Sequence, residues 1–209
     1  MTYVTDEDPG TLYYALDIET TGLYWPTATV TTFAVYGDGV ATVYESPYEG
    51  LVLDQLERTL ASLPPGVVVT WNGSTFDGPF LAKRSDELLG RERSFHLKPN
   101  HLITPKYAPQ PGFAPIGHDP VFKAAHGTHE HLDIAYGYWQ QWAKDNDVHW
   151  SLKDVANAMG IDAIRVNRAQ MDSLSVPERM RYCLSDVVAT YKLTQIAIEG
   201  TTDKEPSDA

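Results

Sequence analysis

At 209 residues, 43% hydrophobic and 21% charged, the chain has an ordinary globular composition and enough length for one well-cored domain. No apolar run approaches the roughly eighteen residues that a membrane span needs, and the acidic start MTYVTDEDPG does not read as a signal peptide. A lone cysteine, Cys183, excludes an internal disulfide framework and fits a reducing, cytoplasmic setting, while the net charge of −12 argues on its face against a polyanionic partner.

The distribution of charge qualifies that objection. Residues 1–82 carry one basic side chain, Arg58, against eleven Asp and Glu. Residues 83–106 then supply Lys83, Arg84, Arg91, Arg93, Lys98 and Lys106, six of the sixteen Lys and Arg in the chain. Such a run reads equally as a solvated face or as a local grip on phosphate.

In chain order, Leu12–Leu16 is an apolar run that predicts a buried strand ending near Asp17. Thr27–Tyr36 and Val40–Tyr44 are rich in β-branched and aromatic residues, and Gly37-Asp38-Gly39 between them is a hairpin signal. Leu51–Leu63 sets Leu53, Leu56 and Leu60 at helical spacing, and Pro64-Pro65-Gly66 closes it. Val67–Thr70 is a short buried strand, followed by a loop over Trp71–Thr75 and a helical start near Phe76. From 94 to 127, six prolines forbid a long regular element, so this stretch is expected as an insertion. His129–Ile134 fits another strand. Ser151 and Asp154 resemble a capping box, opening a short helix that Gly160 ends. Ser175, Pro177 and Glu178 open a last helix running to about Glu199, with residues 201–209 expected as a disordered tail. Strands interleaved with helices after an initial hairpin predict an α/β domain with a mixed sheet over residues 1–200.

Three acidic elements punctuate this order. In a strand, Asp17 and Glu19 share one face while Ile18 points to the other. Two carboxylates so close repel each other unless a proton or a cation intervenes, and hard oxygen ligands suit Mg²⁺ or Mn²⁺. In isolation the pair also fits an exposed acidic strand end. Asp77 follows a strand-to-helix loop, where it fits either a helix N-terminus or a third ligand. Tyr182 and Asp186, four apart, project from one face of the last helix, as a surface pair would also do. His126, His129 and His131 invite a zinc reading, which the absence of a nearby cysteine disfavours. Cys183 is expected to pack in the core. Asp133 fits a further acid near the site, strand-end solvation or helix capping.

Together, Asp17-Ile-Glu19-Thr-Thr-Gly22, Asn72-x-x-x-Phe76-Asp77 and Tyr182-x-x-x-Asp186 resemble the three motifs of the DEDD superfamily of 3′→5′ exonucleases. Tyr182 at four residues before the last Asp, with Arg at 181, is similar to the tyrosine branch, which includes the exonuclease domains of family B DNA polymerases. The segments from His131 to Asp133 and from Ser151 to Ile161 also resemble that branch, whereas the proline-rich insertion and the lack of a polymerase domain depart from it. The resemblance implies a ribonuclease H-like fold, a five-stranded mixed sheet flanked by helices. It further implies two divalent cations, Mg²⁺ or Mn²⁺, held by Asp17, Glu19, Asp77 and Asp186, with Tyr182 aiming the attacking water. Thr20, Thr21, Gly22, Leu23, Asn72 and Phe76 would contact the substrate, and Trp25 and Trp71 fit base stacking or core packing. The expected substrate is the 3′ end of single-stranded DNA, with replication or repair proteins as further partners. An RNA or short-oligonucleotide exonuclease and a catalytically silent binding module are the alternatives.

Overall fold

In the computed structural model, residues 11–90, 96–97, 122–124, 127–167 and 173–202 are described. A five-stranded sheet is built from β1 (Tyr13–Thr20), β2 (Val30–Gly37), β3 (Val40–Glu45), β4 (Val67–Thr70) and β8 (Glu130–Asp133), in the order β3-β2-β1-β4-β8. The first three strands are antiparallel, and β4 and β8 run parallel to β1. The helices are α1 (Glu49–Ser62), α2 (Asp77–Leu88), α3 (Gln140–Asp145), α4 (Leu152–Ala158) and α5 (Val176–Thr202), with a π-helical turn over Ala135–Trp139 ahead of α3. A second, small sheet joins β5 (His96–Leu97), β6 (Phe122–Ala124) and β7 (Gly127–Thr128). This is the mixed, helix-flanked sheet that the sequence predicts.

Two apolar layers follow from strand alternation. Tyr14, Leu16 and Ile18 of β1 face Phe33 and Val35 of β2, the α1 residues Val52, Leu53, Leu56 and Leu60, and Phe80 and Leu81 of α2. Ala15, on the opposite face, packs with Val67, Val69, Leu132, Trp139, Val155 and the α5 residues Cys183, Val187 and Leu193. Asp17 and Glu19 continue the Ala15 face, so they emerge beneath α5. Nothing in the apolar pattern alone dictated which helix would cover them.

Several boundaries differ from the sequence reading, each for a tertiary reason. β1 does not stop at the end of its apolar run: pairing with β2 carries it on through Asp17↔Ala34 and Glu19↔Thr32, until the register shifts between Glu19 and Thr20. β2 starts at Val30 rather than Thr27, because the Thr27 and Ala28 amides both bond the Tyr24 carbonyl in a turn. The hairpin at Gly37-Asp38-Gly39 is as expected, with Gly39 at φ +76°. Its Asp38 is also a tether, accepting from the Tyr13 amide at 2.8 Å and the Tyr191 hydroxyl of α5 at 2.7 Å. The Ser151 cap forms as expected, with the Asp154 amide donating to Ser151 Oγ at 3.2 Å; at Ser175 the bonding runs the other way, its amide and hydroxyl donating to the Glu178 carboxylate at 2.7 and 2.6 Å. The last helix runs to Thr202, three residues past the expected end. Residues 203–209 and most of 94–127 lie outside the described residues, as do Arg91, Arg93, Lys98, Lys106 and His126.

The β4–α2 loop depends on one glycine. A Cβ on Gly73 would lie 2.4 Å from Thr70 Oγ1 and 2.5 Å from Thr70 Cβ, and Thr70 is itself fixed by a 2.8 Å bond to His131 Nε2. Gly73→Ala is therefore expected to destabilise the protein by about 1–3 kcal/mol in urea unfolding. An unchanged midpoint would show that this loop yields without cost.

Candidate active site at the end of β1

The tightest group of metal-ligating atoms among the described residues is formed by Asp17, Glu19 and Cys183, all within 4.8 Å of one another. β1 supplies the two acids from one face, and α5 lays the thiol against them. Cys183 is fully buried, as expected of a packing residue, but its Sγ also sits 3.6 Å from Asp17 Oδ2 and 3.7 Å from the Asp17 carbonyl. Burial and then the Asp17 charge push the thiol well above its ordinary pKa, so it stays protonated and donates to the carboxylate.

Asp77 and Asp186 flank this group rather than entering it. The β1–β4 ladder ends at the Ala15↔Val69 pair, and past that point the Ile18 amide donates to Asp77 Oδ1 at 3.2 Å. Asp77 thus closes a backbone bond that β4 is too short to make, while remaining close enough to feel Asp17. Burial first, then the Asp17 charge, hold the Asp77 carboxyl well above the usual range. Asp17 is raised in the same way, by removal from water and then by Glu19. Asp186, one helical turn beyond Tyr182, is buried and ion-paired with Lys153 of α4. The Lys153 ammonium lies 4.6 Å over the Tyr182 ring. Loss of hydration lowers its pKa to about 8, against the pull of Asp17 and Glu19.

A second buried acid supports the loop beside this centre. Asp133, at the end of β8, accepts the Asn72 amide at 2.9 Å and the Ser74 amide at 2.8 Å. It clamps the β4–α2 loop and also meets the Tyr136 amide at the start of the following helical turn, so the capping expectation holds beside a loop contact the sequence does not show. Burial lifts its pKa to about 6. The clamp holds Asn72 at φ +65°, an uncommon conformation for a residue with a side chain. Asn72 Oδ1 accepts from Thr75 at 2.5 Å and from Tyr136 at 2.6 Å, and the Tyr136 ring lies 5.4 Å from that of Trp150.

The remaining expected contacts are arranged around the β1 terminus. Thr20 Oγ1 donates to the Gly22 carbonyl at 2.7 Å, and Thr21 is tied to Thr29 through both its amide and its hydroxyl. Leu23 is 77% exposed, a large apolar side chain left in water next to the acids. Phe76 packs on Phe80 at 5.5 Å, and Trp25 and Trp71 are each half-buried against the core. Of the basic run, Arg84 is consumed by Glu49 and Glu87, whereas Lys83 is exposed, 5.8 Å from the Trp25 ring centre. His129 bonds the Leu60 carbonyl and His131 bonds Thr70, each buried within the fold. Lys153 was not apparent from sequence: it follows a cap on a short helix and looks like any solvated lysine. Tyr136 likewise carries no motif of its own.

The acids at this site oppose folding when ionised and favour binding of a cation, because each carboxylate sits in partly desolvated space beside another. Asp17 has a raised folded-state pKa, so its contribution to stability is complete below 3.8 and is lost as pH rises through the folded value. Asp17→Asn is therefore expected to raise stability in EDTA at neutral pH by about 1 kcal/mol. The gain should vanish toward about pH 3. Thermal unfolding across pH measures it, and a destabilised variant at neutral pH would contradict the crowding argument.

The fold has known counterparts. A solved family B DNA polymerase from the hyperthermophilic archaeon Pyrobaculum calidifontis matches with a TM-score of 0.60 and 19% identity, over 91% of this chain and 25% of that one. The chain thus spans about a quarter of the length of that polymerase. No curated protein matches. The family model of the RNase H superfamily matches residues 14–198, nearly the full set of elements just described, and the chain belongs to that superfamily.

Proposed function

We propose that this protein is a metal-dependent 3′→5′ exonuclease of the tyrosine-bearing DEDD type, removing nucleoside monophosphates from single-stranded DNA. The observation that supports the reading is the pair Asp17 and Glu19 on one face of β1, with Asp77 bonded to the Ile18 amide beside them and Lys153, which feels both β1 acids, paired with Asp186 one turn from Tyr182. The donor set fits hard divalent cations. It offers carboxylate oxygens in a confined space, with the Asp17 carboxyl held well above its normal pKa by burial and Glu19, and that of Asp77 by burial and Asp17. Asp17, Glu19, Asp186 and Asp77 would hold two such ions. When bound, these supply Lewis-acid activation of water and stabilisation of charge on the leaving oxygen.

The chain's own residues do the rest. A phenol is a poor base at neutral pH, so Tyr182 serves to orient the attacking water by hydrogen bonding. Water adds to the terminal phosphorus, and the P–O3′ bond breaks. The products are a nucleoside 5′-monophosphate and a strand one nucleotide shorter, ending in a 3′-hydroxyl. Thr20, Thr21, Gly22 and exposed Leu23 form a wall for the terminal nucleotide, and Asn72 and Phe76 bound it from the β4–α2 loop. The 77% exposure of Leu23 supports this role, since an apolar side chain there gains by covering a base or sugar.

The test is a time course on 5′-labelled single-stranded DNA and RNA with Mg²⁺ or Mn²⁺. A ladder shortening one nucleotide at a time on DNA is the expected result, lost with EDTA. A ladder on RNA alone would transfer the activity to RNA, and no cleavage of either would leave a binding module. Asp17→Ala should reduce the rate by at least about a thousandfold, and residual turnover near wild type would remove Asp17 from the centre. Tyr182→Phe is expected to lower kcat by about a hundredfold with Mn²⁺ affinity retained. Equal kcat in that variant would take the phenol out of the mechanism.

A further inference from the structure

Resting on the metal-centre reading, one residue of the site has chemistry that the reaction itself does not require. Lys153 leaves α4 just after its Ser151 cap and is 14% exposed, reaching under α5 to the buried Asp186 carboxylate. The base of this side chain is well secured. Arg165 donates to the Lys153 carbonyl at 2.9 Å and to Asp154 Oδ1 at 2.8 Å, and Asp154 in turn closes the helix cap with Ser151. Its tip is held differently. Lys153 Nζ and Asp186 Oδ1 are both buried and in direct contact with each other, and no third polar atom bonds either of them among the described residues.

The two other buried or half-buried ion pairs show what a structural bridge looks like in this protein. Arg84 reaches Glu49 through both Nε and Nη2, and Glu49 also accepts the Val30 amide at 2.8 Å. Arg179 reaches Glu45 through two nitrogens and also bonds the Leu174 carbonyl at 2.5 Å. Those pairs are fixed by planar guanidinium geometry and third partners. Lys153 instead presents a point charge on a flexible four-carbon stem, joined to one carboxylate oxygen without a planar fork or a third partner among the described residues. It lies within the field of Asp17 and Glu19, and its ammonium sits 4.6 Å over the Tyr182 ring.

We propose that Lys153 is an internal counter-cation of the reaction centre: its ammonium and a divalent ion compete for the Asp186 carboxylate, so that metal loading and release of Lys153 are one coupled event. The ammonium offsets one of four carboxylate charges, which lets Asp186 stay buried before metal arrives. A divalent ion shared between Asp186 and the β1 acids replaces one positive charge with two at shorter range, and the freed ammonium swings outward past Tyr182 on its anchored stem. The competition costs metal affinity and keeps the centre from collapsing through repulsion.

The test is calorimetric titration of Mn²⁺ into the chelator-stripped full chain, comparing wild type with Lys153→Met and Lys153→Arg. Lys153→Met should bind about tenfold more tightly, and Lys153→Arg should remain near or weaker than wild type. Equal or weaker binding by a folded Lys153→Met would overturn the proposal. If that variant does not fold, the wild type still decides. Labelling of Lys153 by an amine reagent, read by peptide mass spectrometry, should rise when Mn²⁺ is added, and unchanged labelling would overturn it. Asp17→Asn serves as the separate control on the metal centre itself. If wild type and Lys153→Met both bind no Mn²⁺, both readings fail. Binding by both with equal affinity sinks the Lys153 inference alone.

Discussion

Carboxylates repel, and the arrangement of this protein is governed by the need to keep several of them together beneath a helix. β1 brings Asp17 and Glu19 to the same face that Ala15 buries against α5, and α5 returns Asp186 and Cys183 to that space. Asp17, Asp77 and Asp186 are each restrained by a group that limits the repulsion. Cys183 donates to Asp17, the Ile18 amide donates to Asp77, and Lys153 pairs with Asp186. None of these contacts removes the excess negative charge. They leave a centre where the Asp17 and Asp77 carboxyl pKa values are pushed upward, a charge crowding that a small multivalent cation would relieve.

Support for this centre comes from the shortness of β4. Because β4 ends at Thr70, the β1 edge beyond Ala15 lacks a strand neighbour, and Asp77 at the start of α2 takes its place. The loop that makes this possible must turn sharply over Thr70, which requires Gly73 and a left-handed Asn72. Asp133 on the adjacent strand secures two amides of that loop. The placement of Asp77, the left-handed Asn72 and the Asp133 clamp are thus consequences of one strand being four residues long.

The far side of the centre is closed by α4, a seven-residue helix that would be marginal alone. It is stabilised by its Ser151–Asp154 cap, by Arg165 and by the apolar residues Leu152, Val155 and Ala156. That anchorage gives Lys153 a fixed base. An acidic protein can in this way hold positive charge beside a buried carboxylate, even though its overall charge is −12.

The amino-acid sequence by itself determined the five main strands and α1, α2, α4 and α5 to within a few residues, because strand and helix periodicity, Pro64-Pro65-Gly66, the Gly37–Gly39 turn and the Ser151 cap are local signals; α3, the π-helical turn and the small sheet were not legible. It also made Asp17, Glu19, Asp77, Tyr182 and Asp186 visible as a set, through their resemblance to the three DEDD motifs. Only the tertiary structure decided what stands beside them. That β1 continues through its acids is set by the β2 ladder, not by hydrophobicity. The Asp133 clamp, the Tyr136 bond to Asn72, the thiol against Asp17 and the lysine against Asp186 join residues 61–166 positions apart, or helices whose docking has no local signature. Arg84, prominent in the basic run, proves to be held by Glu49 across the fold. Local interactions are written in neighbouring residues, whereas charge neutralisation depends on which distant groups the packed core brings within a few ångströms.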